Sequence, residues 1–526
     1  MATMAATASK SLLRAPSLSI RQKTLGAALS VALSAGASHT AQAAEWRFTP
    51  YVGGSATYTD NANQSANNPE DALILSVTPG FSLHSVGSRR VQASMNYSLS
   101  AVSRFADDTT TDVYHNLGAI GKAEIIEDFF FIDGTASISQ GLISLFGSPA
   151  DATTNDNNRT AVGVYSISPY IQKRFGSFAT GQARYTTGGA IFGKDSAADS
   201  VSNAFTASLS SGPQFNDLDW GVDYSIYYSD NSGAANTTFE RASVRLGYAL
   251  TRKFRVFGTY GEEWNEYLSA SNVSGSSYSV GFGWSPSRRT NLEASVGERY
   301  FGRTYSFSAT HQARASNWYV RYSEDISDIS QQYLRDSGRI FWECSGRLEE
   351  TRNFTPPSST CTGPFTSAQF TQAFSRLGVP LSDLIAVGLV DVAVANGIYV
   401  IKNFTAGVSW SKARLGGGLS IFDTKRIYQA LIGAEDRSQG VTATGSYRLG
   451  PLTSANSTLS LIRNSNSSSL ITTREDKIMS LSLGLTHEFG KDLSGALSFR
   501  HTQRDSNAAN SDYTENSLTA SANLRF

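Results

Sequence analysis

The sequence predicts an all-β chain: a transmembrane antiparallel β-barrel of about 22 strands with one long, partly helical insertion. Three observations predict it. Apolar and polar residues alternate with a period of two along most of the chain, short and long connections alternate between the strands, and the chain ends on Phe526 inside one such alternating run. Only 17% of the 526 residues are charged, against ~25% in an ordinary soluble domain. Aromatics at 11% exclude a disordered chain. A membrane helix needs about 20 apolar residues, and the run from Leu384 to Val390 already stops at Asp391.

The amino-terminal residues read as a secretory signal. Lys10, Arg14, Arg21 and Lys23 precede an uncharged apolar run from Leu25 to Ala37, followed by the small-x-small site Ala41-Gln42-Ala43. Residues 1–43 are therefore set aside, and the barrel is expected over 44–526. Removing four cations and no anion takes the net charge from zero to −4. No basic surplus remains for a nucleic-acid partner.

The strands follow in order. In 47–59, 72–84, 90–105 and 113–126 the pattern is clearest in the third, where Val91, Ala93, Met95, Tyr97 and Leu99 oppose Gln92, Ser94, Asn96, Ser98 and Ser100. Next come 129–142, 159–174, 178–190, 201–211 and 218–229, with tight turns such as Glu127-Asp128 and Phe175-Gly176-Ser177. In 238–250, Arg241, Ser243 and Arg245 oppose Ala242, Val244 and Leu246. Then follow 254–266, 276–286, 291–301, 303–313 and 317–326, and Tyr278, Val280, Phe282 and Trp284 form one face of the second. The last seven are 397–410, 414–424, 438–449, 451–463, 475–488, 491–504 and 513–526. A tilted membrane strand needs about 9–11 residues, whereas globular strands hold about five or six. Long polar connections at 60–71, 143–158, 191–200, 230–237, 267–275 and 464–474 belong on the outer side, and the tight turns on the periplasmic side. Leu524 and Phe526, alternating with Asn523 and Arg525, have the form of a terminal strand signal for the barrel-assembly machinery.

One segment breaks the rhythm. Residues 327–396 contain Pro356-Pro357, both cysteines, and helical patterns over 366–377 and 381–394. Such a long connection starts on the outer side, where it can cap the mouth, enter the lumen as a plug, cover an outer surface, or stand as a poorly ordered insertion. Cys344 and Cys361 lie 17 positions apart in an exported chain, so a local disulfide is expected. The chain-entropy model gives a loop of that size roughly 3 kcal/mol.

The strand faces predict the lumen. A cation on the lipid face costs about 2–4 kcal/mol at midplane. Arg241 and Arg245 must then face inward, with Asp223 opposing Val222 and Tyr224, and Arg321 opposing Val320 and Tyr322. The charges also separate by end. Arg89, Arg90, Lys173, Arg174, Arg252, Lys253, Arg288, Arg289 and Lys412 sit at tight turns. Asp107, Asp108, Asp112, Asp151, Asp156, Glu262, Glu263, Glu266, Glu324 and Asp325 sit toward the outer end. Such an end either holds divalent cations against lipopolysaccharide or is a solvated rim.

Catalytic signals are thin. His84, His115, His311, His487 and His501 are scattered, none has metal-pair spacing, and none adjoins a nucleophile motif. No catalytic residue, metal ligand or cofactor is expected.

Several stretches carry a family likeness: Ser168-Pro169-Tyr170 through Arg174-Phe175-Gly176, Arg288-Arg289-Thr290 through Gly297, Phe301-Gly302-Arg303-Thr304-Tyr305-Ser306, and Ile398-Tyr399-Val400-Ile401-Lys402. On these the chain resembles the outer-membrane barrel family associated with PEP-CTERM/exosortase systems, which is encoded with exopolysaccharide genes in Gram-negative bacteria. The resemblance implies an outer-membrane barrel linked to surface polysaccharide or protein sorting, and it carries no catalytic residues. The expected function is a channel or scaffold for envelope polysaccharide export. The alternatives are an outer-membrane enzyme acting on lipid or glycan and a structural adhesin or assembly partner. Expected partners are outer-membrane lipid and lipopolysaccharide, the assembly machinery, and exopolysaccharide or its export proteins. A monomer is expected.

Two outcomes test this reading of the termini. Mature protein should begin near Ala44 in outer-membrane fractions and show heat-modifiable gel mobility; a cytoplasmic product retaining residue 1 would end the reading. Deleting Phe526 should lower membrane insertion.

Overall fold

A computed structural model gives the fold. It describes residues 45–106, 109–147, 158–193, 197–337, 340–344, 348–351, 361–366, 397–431, 433–468 and 471–526. The signal segment lies outside them. Fifteen barrel strands precede the insertion: β1 (Glu45–Thr59), β2 (Ala72–Val86), β3 (Val91–Phe105), β4 (Thr110–Ile126), β5 (Phe130–Leu142), β6 (Arg159–Phe175), β7 (Ala179–Phe192), β8 (Ser200–Ser211), β9 (Leu218–Asn231), β10 (Thr237–Thr251), β11 (Phe254–Glu263), β12 (Gly275–Ser287), β13 (Thr290–Arg299), β14 (Gly302–Gln312) and β15 (Ser316–Asp328). The insertion holds helix α1 (Ile329–Ser337) and three short strands, β16 (Ile340–Cys344), β17 (Leu348–Thr351) and β18 (Cys361–Thr366). Seven more barrel strands follow: β19 (Ile398–Lys412), β20 (Leu415–Tyr428), β21 (Glu435–Arg448), β22 (Thr453–Ser468), β23 (Ile471–Glu488), β24 (Leu493–Ser506) and β25 (Tyr513–Arg525).

Twenty-two strands form one antiparallel sheet in chain order, and the sheet closes because β1 pairs with both β2 and β25. At the seam Tyr51 stands opposite Arg525 and Thr59 opposite Ser517. The insertion is bridged directly, β15 pairing with β19 from Ser316↔Trp410 to Asp328↔Ile398. Closure leaves no sheet edge, so backbone donors and acceptors find partners without water. The two-residue link at Arg252-Lys253 and the short links at 413–414 and 313–315 mark the periplasmic end.

The strand count agrees with the sequence, while individual strand ends shift by up to five residues, most at β20, β22 and β23. Residues 464–474 belong mostly to β22 and β23, which continue until only 469–470 separate them. Their Asn- and Ser-rich composition suits strands that have risen out of the bilayer, where both faces meet water. The helical patterns expected over 366–377 and 381–394 lie outside the described residues, except that Thr366 ends β18. The helix that is described, α1, starts at Ile329 and was not anticipated.

The two wall faces differ as burial requires. Outward Leu246, Val280 and Leu250 are 58%, 61% and 57% exposed, values that suit lipid contact and would be costly in water. Inward positions carry hydroxyl pairs across neighbouring strands: Ser55–Ser76 at 2.7 Å, Thr57–Thr519 at 2.8 Å, Thr135–Ser166 at 2.8 Å and Ser168–Thr186 at 2.8 Å. On the outward face, tyrosines cap the apolar band at its outer limit. The Tyr260 hydroxyl donates to Glu262 (2.8 Å), Tyr278 to Glu298 (2.5 Å), Tyr224 to Glu240 (2.8 Å) and Tyr322 to Glu324. Trp284, Trp318 and Trp410 are exposed near the opposite limit. Aromatic belts at both interfaces are where amphipathic rings are most stable. The fold and this two-faced wall define a transmembrane β-barrel of the outer-membrane type.

A charge placed in the outward band should therefore cost about 2–4 kcal/mol while an inward polar change is tolerated. Val244→Arg is expected to reduce the heat-modifiable fraction in membranes, and Ser243→Gln to leave it unchanged. Equal gel behaviour of the two variants would contradict this assignment of faces.

Candidate functional site: the lumen wall and the strap across its mouth

The lumen wall is lined by ion pairs and aromatic rings. Arg184 donates to Asp133 (2.8 Å) and lies over the Tyr170 ring, its guanidinium 3.8 Å from the centroid. Tyr170 in turn stacks on Phe131 at 5.0 Å. Register sets Arg241, Arg245, Asp223 and Arg321 on strand faces opposite Val244, Leu246, Val222 and Val320. Arg245 lies 3.9 Å from Asp219 and 4.1 Å from the centroid of Phe257. Asp223 stands opposite Ser243, one diagonal step from Arg241. Arg321 sits between Ser308 and Thr405 and is exposed to the lumen.

Arg241 belongs to a larger cluster near the mouth. Its Nε is 4.0 Å from Glu263, and Arg299 grips the same carboxylate through two bonds of 2.7 and 2.9 Å while reaching Asp325 at 3.0 Å. Glu263 is nearly fully buried, so a bidentate guanidinium is the geometry that makes its charge tolerable. Sequence reasoning grouped Glu263 and Asp325 with the outer acidic rim; strand parity would have turned them inward, away from Glu262 and Glu324, which meet tyrosines outside. A second buried cluster sets Asp476 between Arg504 and Arg474 (3.2 Å), with Ser506 donating at 2.5 Å. Asp107, Asp108, Asp151 and Asp156 lie outside the described residues.

Helix α1 forms a strap. Asp328 caps it, accepting from the Gln331 N–H at 2.6 Å. Although α1 leaves β15, it packs on β5, β6 and β7, and seven strands, β8 to β14, lie between on the shorter way round the ring. Ile329 joins Val162, Val164, Ala190, Phe192 and Ala197 in an apolar cluster, with Tyr333 and Leu334 against it. These inward apolar residues seat the helix; a smaller inward apolar cluster of Ala72, Ile74 and Val102 lies on β2 and β3. Gly188 permits the close approach: a Cβ there would stand 3.1 Å from Leu334 Cδ2 and 2.4 Å from the Tyr165 carbonyl oxygen. Polar ties hold its first turn, Ser200 Oγ donating to Ser330 Oγ at 2.7 Å and Tyr399 Oη to Gln332 Oε1 at 2.7 Å. Further along, β18 packs against β4. Ordered segments of the insertion therefore reach the far wall. The register of the small sheet sets Cys344 opposite Cys361, an antiparallel pairing whose usual Cα separation of about 4.5–5.5 Å suits the expected disulfide.

Aromatic residues gather on the other side of the mouth. Phe239, Tyr267, Tyr300 and Phe301 pack on Ile326, Ile398 and Val400, and the loop hydroxyls Tyr267 and Tyr300 share a 3.0 Å bond. Burial pushes the titration of both hydroxyls upward, and their mutual bond raises Tyr300 further.

The histidines do not converge. His115 meets Tyr97, His311 meets Thr290, His487 meets Thr453 and His501 meets Asn516, each at 2.7–2.8 Å. At the seam, the terminal Phe526 is 70% exposed, and its N–H donates to the Pro50 carbonyl at 3.0 Å. Leu524 stands between Val52 and Leu493.

No protein-family model matches this sequence, and no curated protein is similar to it. Among solved structures, the siderophore receptor PirA from Acinetobacter baumannii is similar over 92% of this chain and 81% of its own, at 8% identity and a TM-score of 0.46. The copper transporter OprC matches over 91% and 80%, at 11% identity and a TM-score of 0.41. A loop-deleted OmpT of Vibrio cholerae matches over 92% and 100%, at 9% identity and a TM-score of 0.30.

Ile329→Asp should unseat the strap by placing a carboxylate in its apolar cluster, a loss of about 2–4 kcal/mol. Faster trypsin cleavage after Arg335 in the folded, heat-modifiable protein is the expected readout; unchanged cleavage would mean the cluster does not hold the helix.

Proposed function

We propose that this barrel is an outer-membrane conduit for envelope polysaccharide export, with α1 and the small sheet as a constriction at its outer mouth. The observation that carries the reading is a polar, ion-paired lumen crossed at the mouth by an ordered strap. A barrel of this strand number encloses a wide interior, and large natural examples are plugged. The likeness to barrels of PEP-CTERM/exosortase systems supports polysaccharide as the cargo, and hydroxyl-rich walls with fixed guanidinium and carboxylate groups suit a hydrated glycan sliding past many weak contacts.

Single-channel recording in planar bilayers tests this. Deleting residues 330–392 should leave an assembled barrel and raise its conductance severalfold over the intact protein. Oligosaccharides added from the periplasmic side should interrupt the current of the deletion form. Equal conductance of the two forms would remove the strap from the pore path. Absence of conductance in both would favour a structural adhesin or assembly partner, and hydrolysis of added glycan or lipid would favour an enzyme.

A further inference from the structure

We propose that the periplasmic half of the β10–β13 wall binds an anionic glycerophospholipid of the inner leaflet, its acyl chain in an outward groove and its phosphate between two cationic turns. This site is separate from the lumen and independent of the channel reading.

The groove comes first. An apolar hollow of about 770 Å³ opens on the lipid-facing side of these strands. Register places Leu246, Gly258, Val280 and Val296 side by side across it, with Tyr248 and Phe282 in the row below. Gly258 makes the hollow, since a Cβ there would meet only the Ser279 carbonyl oxygen at 3.8 Å. A dent bounded by larger apolar side chains and running toward the periplasmic end has the form of a seat for one hydrocarbon chain.

The charge comes second. Directly below the groove, the β10–β11 link is Arg252-Lys253 and the β12–β13 link carries Arg288-Arg289, all four exposed. Two strand spacings, roughly 10 Å, separate the links. Neither link contains a carboxylate; the adjoining connection on one side, 212–217, ends on Asp217, whereas the next three on the other, at 313–315, 413–414 and 449–452, contain none. The ion pairs of this wall, Arg245–Asp219 and Arg255–Glu293, face the lumen and leave the turn cations to the rim. Cations elsewhere do meet carboxylates: Lys402, Lys425, Arg437 and Arg463 at 2.6–3.3 Å toward the outer end, and Arg90 with Glu127 at 2.7 Å in periplasmic turns farther round the ring.

Trp284 and Tyr248, outward and about half exposed, stand between groove and turns, the depth at which aromatic rings mark the headgroup layer. Cations at that depth are attracted to anionic lipid. An acidic glycan entering the lumen is the other polyanion within reach, but the groove and the aromatic anchors lie on the lipid side.

The test uses the full mature barrel in non-ionic detergent, with equal amounts of dioleoylphosphatidylglycerol and dioleoylphosphatidylcholine, and counts retained lipids by native mass spectrometry. The intact protein should retain phosphatidylglycerol over phosphatidylcholine about tenfold. R252Q/K253Q/R288Q/R289Q should bring that ratio near one, and Gly258→Leu should lower retention of both lipids severalfold while keeping the ratio. Heat-modifiable mobility checks that each variant is folded. A ratio of one in the intact protein, or a preference that survives the fourfold substitution, would overturn the proposal. So would loss of polygalacturonate binding in the fourfold variant with its lipid ratio unchanged, which would assign the turns to an acidic glycan.

Discussion

Hydrogen-bond closure governs this molecule. In hydrocarbon no water is available to a peptide N–H or C=O, so a sheet that spans must join its own edges. The join here is the ladder between β1 and β25, and the Phe526 N–H bond to Pro50 is its last rung at the periplasmic end. Once the ring is closed, successive side chains can only point to lipid or to lumen. The apolar belt, the tyrosine–carboxylate limit and the ion-paired interior all follow from that division.

The inward face then has its own problem, because charges on a wall partly shielded from water need partners. Arg299 with Glu263 and Asp325, Arg184 with Asp133, and Asp476 with two arginines each solve it by geometry. Guanidinium groups lying on Tyr170 and Phe257 add contacts that a lysine would make less well. The lining is thus a fixed array of oriented groups.

The barrel was legible in the sequence because its signal is repeated: each strand states the same alternation, and the strand count and the inward placement of Arg241, Arg245, Asp223 and Arg321 follow from parity. What parity cannot give is a partner across the ring. Helix α1 was missed because its apolar contacts, Val162, Val164 and Phe192, lie in β6 and β7, and nothing local in Ile329–Ser337 announces them. Those same valines read as ordinary members of an alternating strand. The ends of β22 and β23 were read as loop for a related reason, since a strand beyond the bilayer has no apolar face to reveal it.

The strap has a property that follows from its attachment. It is continuous with β15 on one side, and the insertion returns at Ile398 to β19, the strand that β15 pairs with. Its local concentration at the seat on β6 and β7 is set by a short chain and is independent of how much protein the membrane holds. Opening is then a first-order event within one molecule, whose frequency is fixed by the strength of the seat alone. A closure of this kind would work identically in a sparse membrane and a crowded one.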